Sequence, residues 1–314
     1  MPRHATTTLV LLAATGIGAP RAAGAGTPAR FFHMGTGVLK IRSTKNSHRF
    51  AGRYRGADGA YRTAALRKIN RVFGADLDRD GGRVSLRLIE LLSLLRDQLD
   101  GGWVVVSSGY RGPKYNLKIR KRGGTVALSS LHQYGMAADV RVTGVKSKKI
   151  WELVKQRELG GAGYYGSPWV HVDVGLPRTW TQSTANVRKG RSVNNKIIQI
   201  VPWFDIYRPG DPLRLRFVRM TAFPIGVRPT FVLERATGGE TWKVQRRFKP
   251  SLGRPVKGRC PTFGSIGAMA GIRWELPREL PPGRYRVRAR FCERKWEEMR
   301  EETTSRPIRV VAGP

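Results

Sequence analysis

The spacing of apolar residues predicts helices and strands in alternation over the first part of the chain. Apolar side chains recur at helical spacing over residues 63–73 and, more strongly, over residues 85–99, where leucines fall on one face. Both stretches are predicted to be amphipathic core helices. The β-branched run "WVVVS" at residues 103–107 predicts a buried strand, and the turn-forming residues 108–113 predict a loop at its end.

Two later stretches alternate between apolar and other side chains, as half-buried strands do. They are "MAADVRV" (136–142) and "WVHVDVG" (169–175). In the second stretch the valines on one face belong to the core. We therefore expect His171 and Asp173, on the other face, to point into a cleft or into solvent.

The pattern changes after Trp180. Residues 181–196 are polar and lack periodicity, which predicts a linker. Beyond it, short apolar runs recur between turns, and "LRLRF" (213–217) and "YRVRARF" (285–291) alternate apolar residues with arginine. This pattern predicts a β-sandwich over residues 197–314, immunoglobulin-like in arrangement, with a basic solvent face.

The chain carries a large excess of positive charge. It has 314 residues, enough for two domains, and a formal net charge of +36 from 58 Lys and Arg against 22 Asp and Glu. Such a charge attracts polyanions. The basic residues are spread along the chain, and no zinc finger, RNA-binding motif or basic zipper is present. Nucleic acid is therefore not expected as a partner, and an anionic cell envelope fits the charge equally well.

The first residues resemble an export signal. A basic start, Met1 to His4, precedes an uncharged stretch, Thr6 to Ala19, and an Ala-x-Ala arrangement that ends at Ala25. Residues 1–25 are predicted to be a cleaved secretory signal; a frayed or helical terminus is the alternative. The apolar run is too short to span a bilayer, and no transmembrane segment is predicted elsewhere.

The chain has two cysteines, Cys260 and Cys292. In an exported protein a disulfide between them is expected. Two buried free thiols are the alternative.

One group of residues has the chemistry of a metal site. His132 and Asp139 lie close together in "SSLHQYGMAADVRVTG", and His171 follows in the last predicted strand. Two imidazoles and one carboxylate, with a fourth position open, form a ligand set for catalytic zinc. Asp173 lies two residues beyond His171 on the same strand face. It is close enough to act as a general base or to hold the histidine.

Four motifs in order resemble the YcbK-like murein endopeptidases. This group belongs to the zinc D-alanyl-D-alanine peptidases, which share a core with lysostaphin-type enzymes and the hedgehog signalling domain. The resemblance covers about residues 30–180 and implies an α+β zinc peptidase domain over residues 26–180. The motifs are "SGYRGPKYN", "SSLHQYGMAADVRV", "GGAGYYG" and "WVHVDVGLPRTW".

The resemblance implies both a function and a ligand set. The enzyme would hydrolyse peptide crosslinks of bacterial peptidoglycan through a zinc-activated water, in the periplasm or cell envelope. His132, Asp139 and His171 would bind one zinc ion per chain. Related dipeptidases carry an acid three residues before the last histidine, where this chain has Pro168. Asp173 is therefore the candidate base, with a role as partner of His171 or as a ligand as the alternatives.

The remaining motif residues are candidates for substrate binding. Arg111 offers a planar fork of donors for a substrate carboxylate or a developing oxyanion, unless it is an ordinary surface arginine. Tyr110 and Ser130 are the other candidates to contact substrate.

The sequence thus favours a zinc peptidase that acts on peptidoglycan peptide stems, either a murein endopeptidase or a D,D-carboxypeptidase. Anionic envelope polymers are a further partner that the basic surface could bind. One alternative is a non-catalytic wall-binding protein that keeps the peptidase fold. A basic nucleic-acid-binding protein is the other alternative.

Overall fold

The computed structural model describes residues 29–76, 83–124, 126–185, 194–253 and 258–313. The predicted secretory signal, residues 1–25, and part of the predicted linker, residues 186–193, lie outside these ranges. Within the described residues, no helix combines the length and the apolar composition that crossing a bilayer requires.

The first part of the chain is built on a seven-stranded sheet with strand order β2-β1-β3-β4-β6-β5-β7. The β1–β3 and β5–β7 pairs are parallel and the others antiparallel. The three strands predicted from the sequence are confirmed as β3, β4 and β6. The strands are β1 (Val38–Ser43), β2 (Arg49–Arg53), β3 (Val104–Ser108), β4 (Ala137–Val142), β5 (Gly161–Tyr164), β6 (Val170–Asp173) and β7 (Arg178–Thr181).

Among the described residues, four α-helices accompany this sheet. The two predicted helices are confirmed as α1 (Thr63–Val72) and α2 (Leu86–Gln98), although α2 is buried on all sides over most of its length rather than on one face. Sequence patterning did not predict α3 (Pro113–Lys121) or α4 (Ser147–Gln156). Helix α3 buries a single residue and has no apolar stripe, whereas α4 has an apolar stripe that was missed.

The second part of the chain is β-rich. A three-stranded sheet has the order β15-β10-β8, a larger one runs β13-β12-β16-β18-β9 with β17 paired to β16, and β11 pairs with β14. The immunoglobulin-like topology stays a prediction. The strands are β8 (Gln199–Pro202), β9 (Ile206–Tyr207), β10 (Pro212–Val218), β11 (Ile225–Gly226), β12 (Phe231–Gly238), β13 (Thr241–Phe248), β14 (Thr262–Phe263), β15 (Ile272–Glu275), β16 (Gly283–Arg290), β17 (Glu302–Thr304) and β18 (Ile308–Val310).

Alternation in this region follows the expected rule. In β16, Tyr285, Val287 and Ala289 are buried, while the arginines between them are more exposed. The expected disulfide is also confirmed, because Cys260 and Cys292 are bonded to each other.

The two parts of the chain are in direct contact. Arg87 of α2 forms a buried ion pair with Asp205, with 2.7 Å between Nη2 and Oδ1. The Met220 N–H donates to the Tyr134 hydroxyl over 2.9 Å. The buried apolar side chains of both parts belong to one continuous cluster. The β-rich region is therefore packed against the side of the first domain that carries Tyr134.

Candidate metal centre

Strand pairing brings Asp139 and His171 together. In the antiparallel β4–β6 ladder these two residues are direct partners. Partners in such a ladder project side chains to the same face, about 5 Å apart at Cβ. The imidazole Nδ1 of His171 lies 3.0 Å from Oδ1 of Asp139. Two residues far apart in sequence thus meet through the register of the sheet.

A short 3-10 helix, Leu131–Tyr134, brings His132 to the same place. The Ser130 hydroxyl accepts a hydrogen bond from the His132 N–H over 3.4 Å at its start. Gly135 ends it with φ +61°, and a Cβ there would lie 2.3 Å from the Arg83 carbonyl oxygen. Only glycine fits both constraints. The chain then enters β4 at once, which holds His132 beside Asp139.

Hydrogen bonds identify one protonated nitrogen on each imidazole. Nδ1 of His132 lies 2.7 Å from the Gly109 carbonyl oxygen, which can only accept, so Nδ1 is protonated and Nε2 keeps its lone pair. Nε2 of His171 lies 3.1 Å from Oδ2 of Asp173 and, because that carboxylate accepts, is protonated. Nδ1 of His171 faces the Asp139 carboxylate and can bind a metal ion when it carries no proton.

When Nδ1 of His171 carries no proton, three electron-pair donors converge. His132 Nε2 lies 3.3 Å from His171 Nδ1 and 3.5 Å from Asp139 Oδ1. Such closeness is repulsive unless a cation lies between the atoms. Tetrahedral zinc, with ligands at about 2.0–2.1 Å, spaces them about 3.3–3.4 Å apart. The donor set fits zinc, with the fourth position left for water or substrate.

The charges around the two histidines differ. Burial lowers the pKa of His132, which favours the neutral ring that a metal ligand needs. Burial also opposes protonation of His171, but Asp139 and Asp173 on either side of the ring raise its pKa. A proton and a metal ion therefore compete for Nδ1 of His171.

Asp173 does not face the cleft, contrary to our expectation. It is fully buried, and its carboxylate accepts from the Gly175 N–H over 2.9 Å and from Arg178 Nη1 over 3.0 Å. A second Arg178 nitrogen contacts Oδ2. The cause is β5, because a Cβ on Gly161 would lie 2.3 Å from Oδ2 of Asp173. The glycine lets the neighbouring strand and Arg178 close over the carboxylate.

The charge state of Asp173 follows from these contacts. Burial alone would raise the pKa of the carboxyl group, but the hydrogen bond from His171 and the charge of Arg178 hold that pKa well below its usual range. Asp173 is therefore ionised, and it contacts the ring nitrogen of His171 that points away from Asp139.

Asp139 and His171 border a cleft of about 1060 Å³. Arg111 and Ser130 line it as expected, whereas Tyr110 is absent from the described lining and packs half-buried against the core. Lining residues are Ser107, Arg111, Val126, Ala127, Ser129, Ser130, Leu131, Asp139, Tyr165, Trp169, His171, Arg178, Thr179, Trp180, Gln182, Ser183, Thr184, Ala185 and Arg219.

Arg111 is held beside the metal ligands. Its backbone N–H donates to the His132 carbonyl over 3.2 Å, and its Nη2 lies 3.4 Å from the Ser130 hydroxyl. Within the described residues, its buried Nε has no hydrogen-bond partner. Burial lowers the pKa of Arg111, and Asp139 partly offsets that effect. A guanidinium with a free donor in this position can bind a carbonyl or carboxylate of a substrate.

Sequence reasoning missed several residues of the cleft. Arg178 belongs to a quoted motif, but its partner Asp173 becomes evident only once the strands are paired. The Trp180 indole N–H donates to the Tyr165 hydroxyl over 2.8 Å, and its ring centroid lies 5.2 Å from that of His171. Arg219 lies outside all four motifs, and no local signal in the sequence marks it.

Comparisons with known proteins match the first domain. Residues 33–180 match the family model described as peptidoglycan L,D-endopeptidase MepK. A probable peptidoglycan L,D-endopeptidase MepK of Haemophilus influenzae is 28% identical over 146 residues, which are 46% of this chain and 78% of that protein. The peptidoglycan L,D-endopeptidase MepK of Escherichia coli K12 is 37% identical over 78 residues, which are 24% of this chain and 43% of that protein.

The match therefore spans less than half the length of the Escherichia coli relative, and it stops before the β-rich region. The matched range contains the four motifs and the three candidate ligand residues. Over residues 33–180 the chain is therefore similar to the YcbK-like murein endopeptidases of the M15 peptidase group.

Proposed function

We propose that this protein is a zinc-dependent endopeptidase that hydrolyses peptide crosslinks of bacterial peptidoglycan. The observation that carries the proposal is the convergence of three candidate ligand atoms, from His132, Asp139 and His171, beside an open cleft in a domain similar to this family. The names of the relatives favour an endopeptidase over a D,D-carboxypeptidase.

In this proposal His132, Asp139 and His171 hold one zinc ion. When bound, zinc supplies a Lewis acid that activates water and polarises the scissile carbonyl. The protein's own contribution is orientation. The Gly109 carbonyl and the Asp173 carboxylate each hold one imidazole in the tautomer that a metal requires.

The contacts of Asp173 favour one of its three candidate roles. Its carboxylate is enclosed by His171, Gly175 and Arg178, on the side of the imidazole away from the other ligands. A general base must reach the water whose proton it takes. We therefore propose that Asp173 positions His171 and that Arg178 positions Asp173.

Arg111 is proposed to bind substrate. Its backbone bond to the His132 carbonyl keeps its guanidinium near the scissile bond, where it can stabilise charge that develops on the carbonyl oxygen. Ser130, which contacts Arg111 Nη2, orients that side chain.

Export and domain organisation belong to the same proposal. A peptidoglycan hydrolase acts in the periplasm or envelope, which agrees with a signal over residues 1–25. The domain limits 26–180 and 197–314, with a linker over 181–196, stay predictions. Binding of anionic envelope polymers through the basic surface also stays a prediction.

The test is digestion of purified sacculi by the full chain, with zinc content measured on the same preparations. We expect one zinc per chain and release of soluble muropeptides, both lost in His132→Ala. Mass spectrometry of the products separates the cleavage types, because an endopeptidase opens crosslinks whereas a carboxypeptidase releases free D-alanine. Zinc-loaded protein that releases nothing would instead support a non-catalytic wall-binding role.

A further inference from the structure

The β-rich region contributes one charged residue to the cleft. Arg219 directly follows β10 and lies beyond residues 33–180, where the family match ends. It nevertheless lines the same cleft as Asp139 and His171.

The backbone around Arg219 is held in an unusual conformation. Arg219 has φ +60°, a left-handed conformation that non-glycine residues adopt only when their surroundings enforce it. The Met220 N–H donates to the hydroxyl of Tyr134, two residues after the metal-ligand candidate His132. The segment is thus tied to the 3-10 helix of the metal centre.

A second anchor fixes the residues that follow. The Asn195 side chain accepts from the Thr221 N–H over 2.9 Å and donates to the Ala222 carbonyl over 3.0 Å. Asn195 itself is fully buried. Arg219 is therefore presented on a rigid segment, which is a property of residues that bind a ligand in a defined geometry.

Within the part of the chain that the structure describes, Arg219 has no carboxylate of its own to pair with. The residue is only 8% exposed, and its Nη2 finds no hydrogen-bond acceptor among the described residues. Asp173 attracts it, but that carboxylate is already bonded by His171 and Arg178. Burial and the like charge of Arg178 lower the pKa of Arg219 to about 10, so it is still a cation at neutral pH.

Positive charges also outnumber negative charges in the described lining of the cleft. It contains three arginines, Arg111, Arg178 and Arg219, and a single carboxylate, Asp139, which faces the two histidines. Arg178 forms an ion pair with Asp173, whereas Arg219 has no such ion pair among the described residues. A buried cation is costly unless an anion pairs with it, and a carboxylate matches the guanidinium fork in shape.

We propose that Arg219 is a substrate-binding residue that takes a free carboxylate of the peptide in the cleft, so that the β-rich region completes the active site. The proposal rests on the function proposed above for the identity of that peptide. It assigns to the β-rich region a part in substrate recognition.

The test compares matched peptides that differ in charge. One is a crosslinked muropeptide with free carboxylates, and the other is the same peptide with those carboxylates amidated. We expect Arg219→Gln to raise KM for the free peptide about 10- to 100-fold, the range for loss of a charged hydrogen bond, with little change in kcat or for the amidated peptide. Arg219→Lys should retain part of the affinity, because it keeps the charge and loses the fork.

Arg214→Gln is the control, since Arg214 lies on the same strand, β10, and is exposed. It should leave both KM values unchanged. Thermal melts and zinc content of every variant separate loss of recognition from loss of structure. If Arg219→Gln does not fold, the role of Arg219 is tested by the KM of Arg219→Lys and by the preference of the wild type for the free peptide over the amidated one.

Calorimetric binding of the two peptides to the zinc-loaded full chain provides a readout that needs no turnover. The wild type could release nothing from sacculi and still bind the free peptide more tightly than the amidated one. If Arg219→Gln then abolished that difference in affinity, the proposed peptidase activity would be refuted and the carboxylate-binding role of Arg219 would be supported. Equal affinity of the wild type for the two peptides, or an equal loss on both in the Arg219 variants, would overturn the role of Arg219.

Discussion

Buried polar groups have different kinds of partners in the two regions of the molecule. In the first domain, His132, Asp139 and His171 direct ring nitrogens and a carboxylate oxygen at one another. In the β-rich region, a buried carboxylate is neutralised by arginines. Glu234 bonds Arg286 at 2.7 Å and Arg288 at 2.8 Å.

The difference teaches where to look for function. Groups that satisfy one another contribute stability and solubility, whereas converging groups that cannot satisfy one another need something that the chain does not supply. By this criterion Arg219 is of interest, because it combines a buried nitrogen that has no partner among the described residues with a place in the lining of the cleft. The experiments that follow test this contrast.

The largest effect should come from removing a metal ligand. Asp139→Ala is expected to abolish stoichiometric zinc and to lower muropeptide release about 1000-fold or more, roughly 4 kcal/mol of transition-state stabilisation. Zinc analysis and sacculus digestion measure both effects. His48→Ala, which removes an exposed histidine, is the control and should change neither. Full zinc content in the Asp139 variant would refute the assigned ligand set.

The disulfide should matter for stability alone. Replacing Cys260 and Cys292 by serine is expected to lower the free energy of unfolding by about 3 to 4 kcal/mol, because their 32-residue separation closes a long loop. Denaturant unfolding measures the change. Zinc content should stay at one per chain, since both cysteines lie in the β-rich region. Reductant should destabilise the wild type and leave the serine variant unaffected.

Asp173→Asn separates its candidate roles. If Asp173 positions His171, loss of its charge should weaken zinc affinity about 10- to 100-fold, as chelator competition would measure. If it were the general base, zinc affinity would be kept while kcat fell. Gly161→Ala tests the same contact through the backbone, because its methyl group would press on Oδ2 of Asp173.

The smallest effect should come from an exposed ion pair of the β-rich region. Arg246 and Glu279 are 3.0 Å apart, with side chains 49% and 70% exposed. Arg246→Ala is expected to cost at most about 0.5 kcal/mol of stability and to leave zinc affinity and KM unchanged. Denaturant unfolding at low and high salt measures it. A marked loss of peptide binding would mean that the surface charges also serve recognition.

Much of the first domain could be predicted from sequence because its signals are local. The leucine spacing of α2 and the valine alternation of β6 mark side chains that are buried, and periodicity reports these directly. Periodicity does not report that α2 is buried on all sides from Arg87 to Leu95. Helix α3 buries a single residue and gives no apolar stripe, whereas the stripe of α4 was missed.

The sequence by itself indicated the three candidate ligand residues, since His132, Asp139 and His171 lie in motifs that resemble those of the murein endopeptidases. Only the tertiary structure decided the surroundings of that site. The alternation along β6 predicted that Asp173 lies on an exposed face of the strand. Strand β5 and Arg178 cover its carboxylate, and that contact depends on strand pairing. Arg219 reaches the cleft only because the β-rich region packs on Tyr134, 86 residues from the hydrogen-bonded Met220. Contacts between residues so distant in sequence leave no periodic signal, so they become visible only in the folded chain.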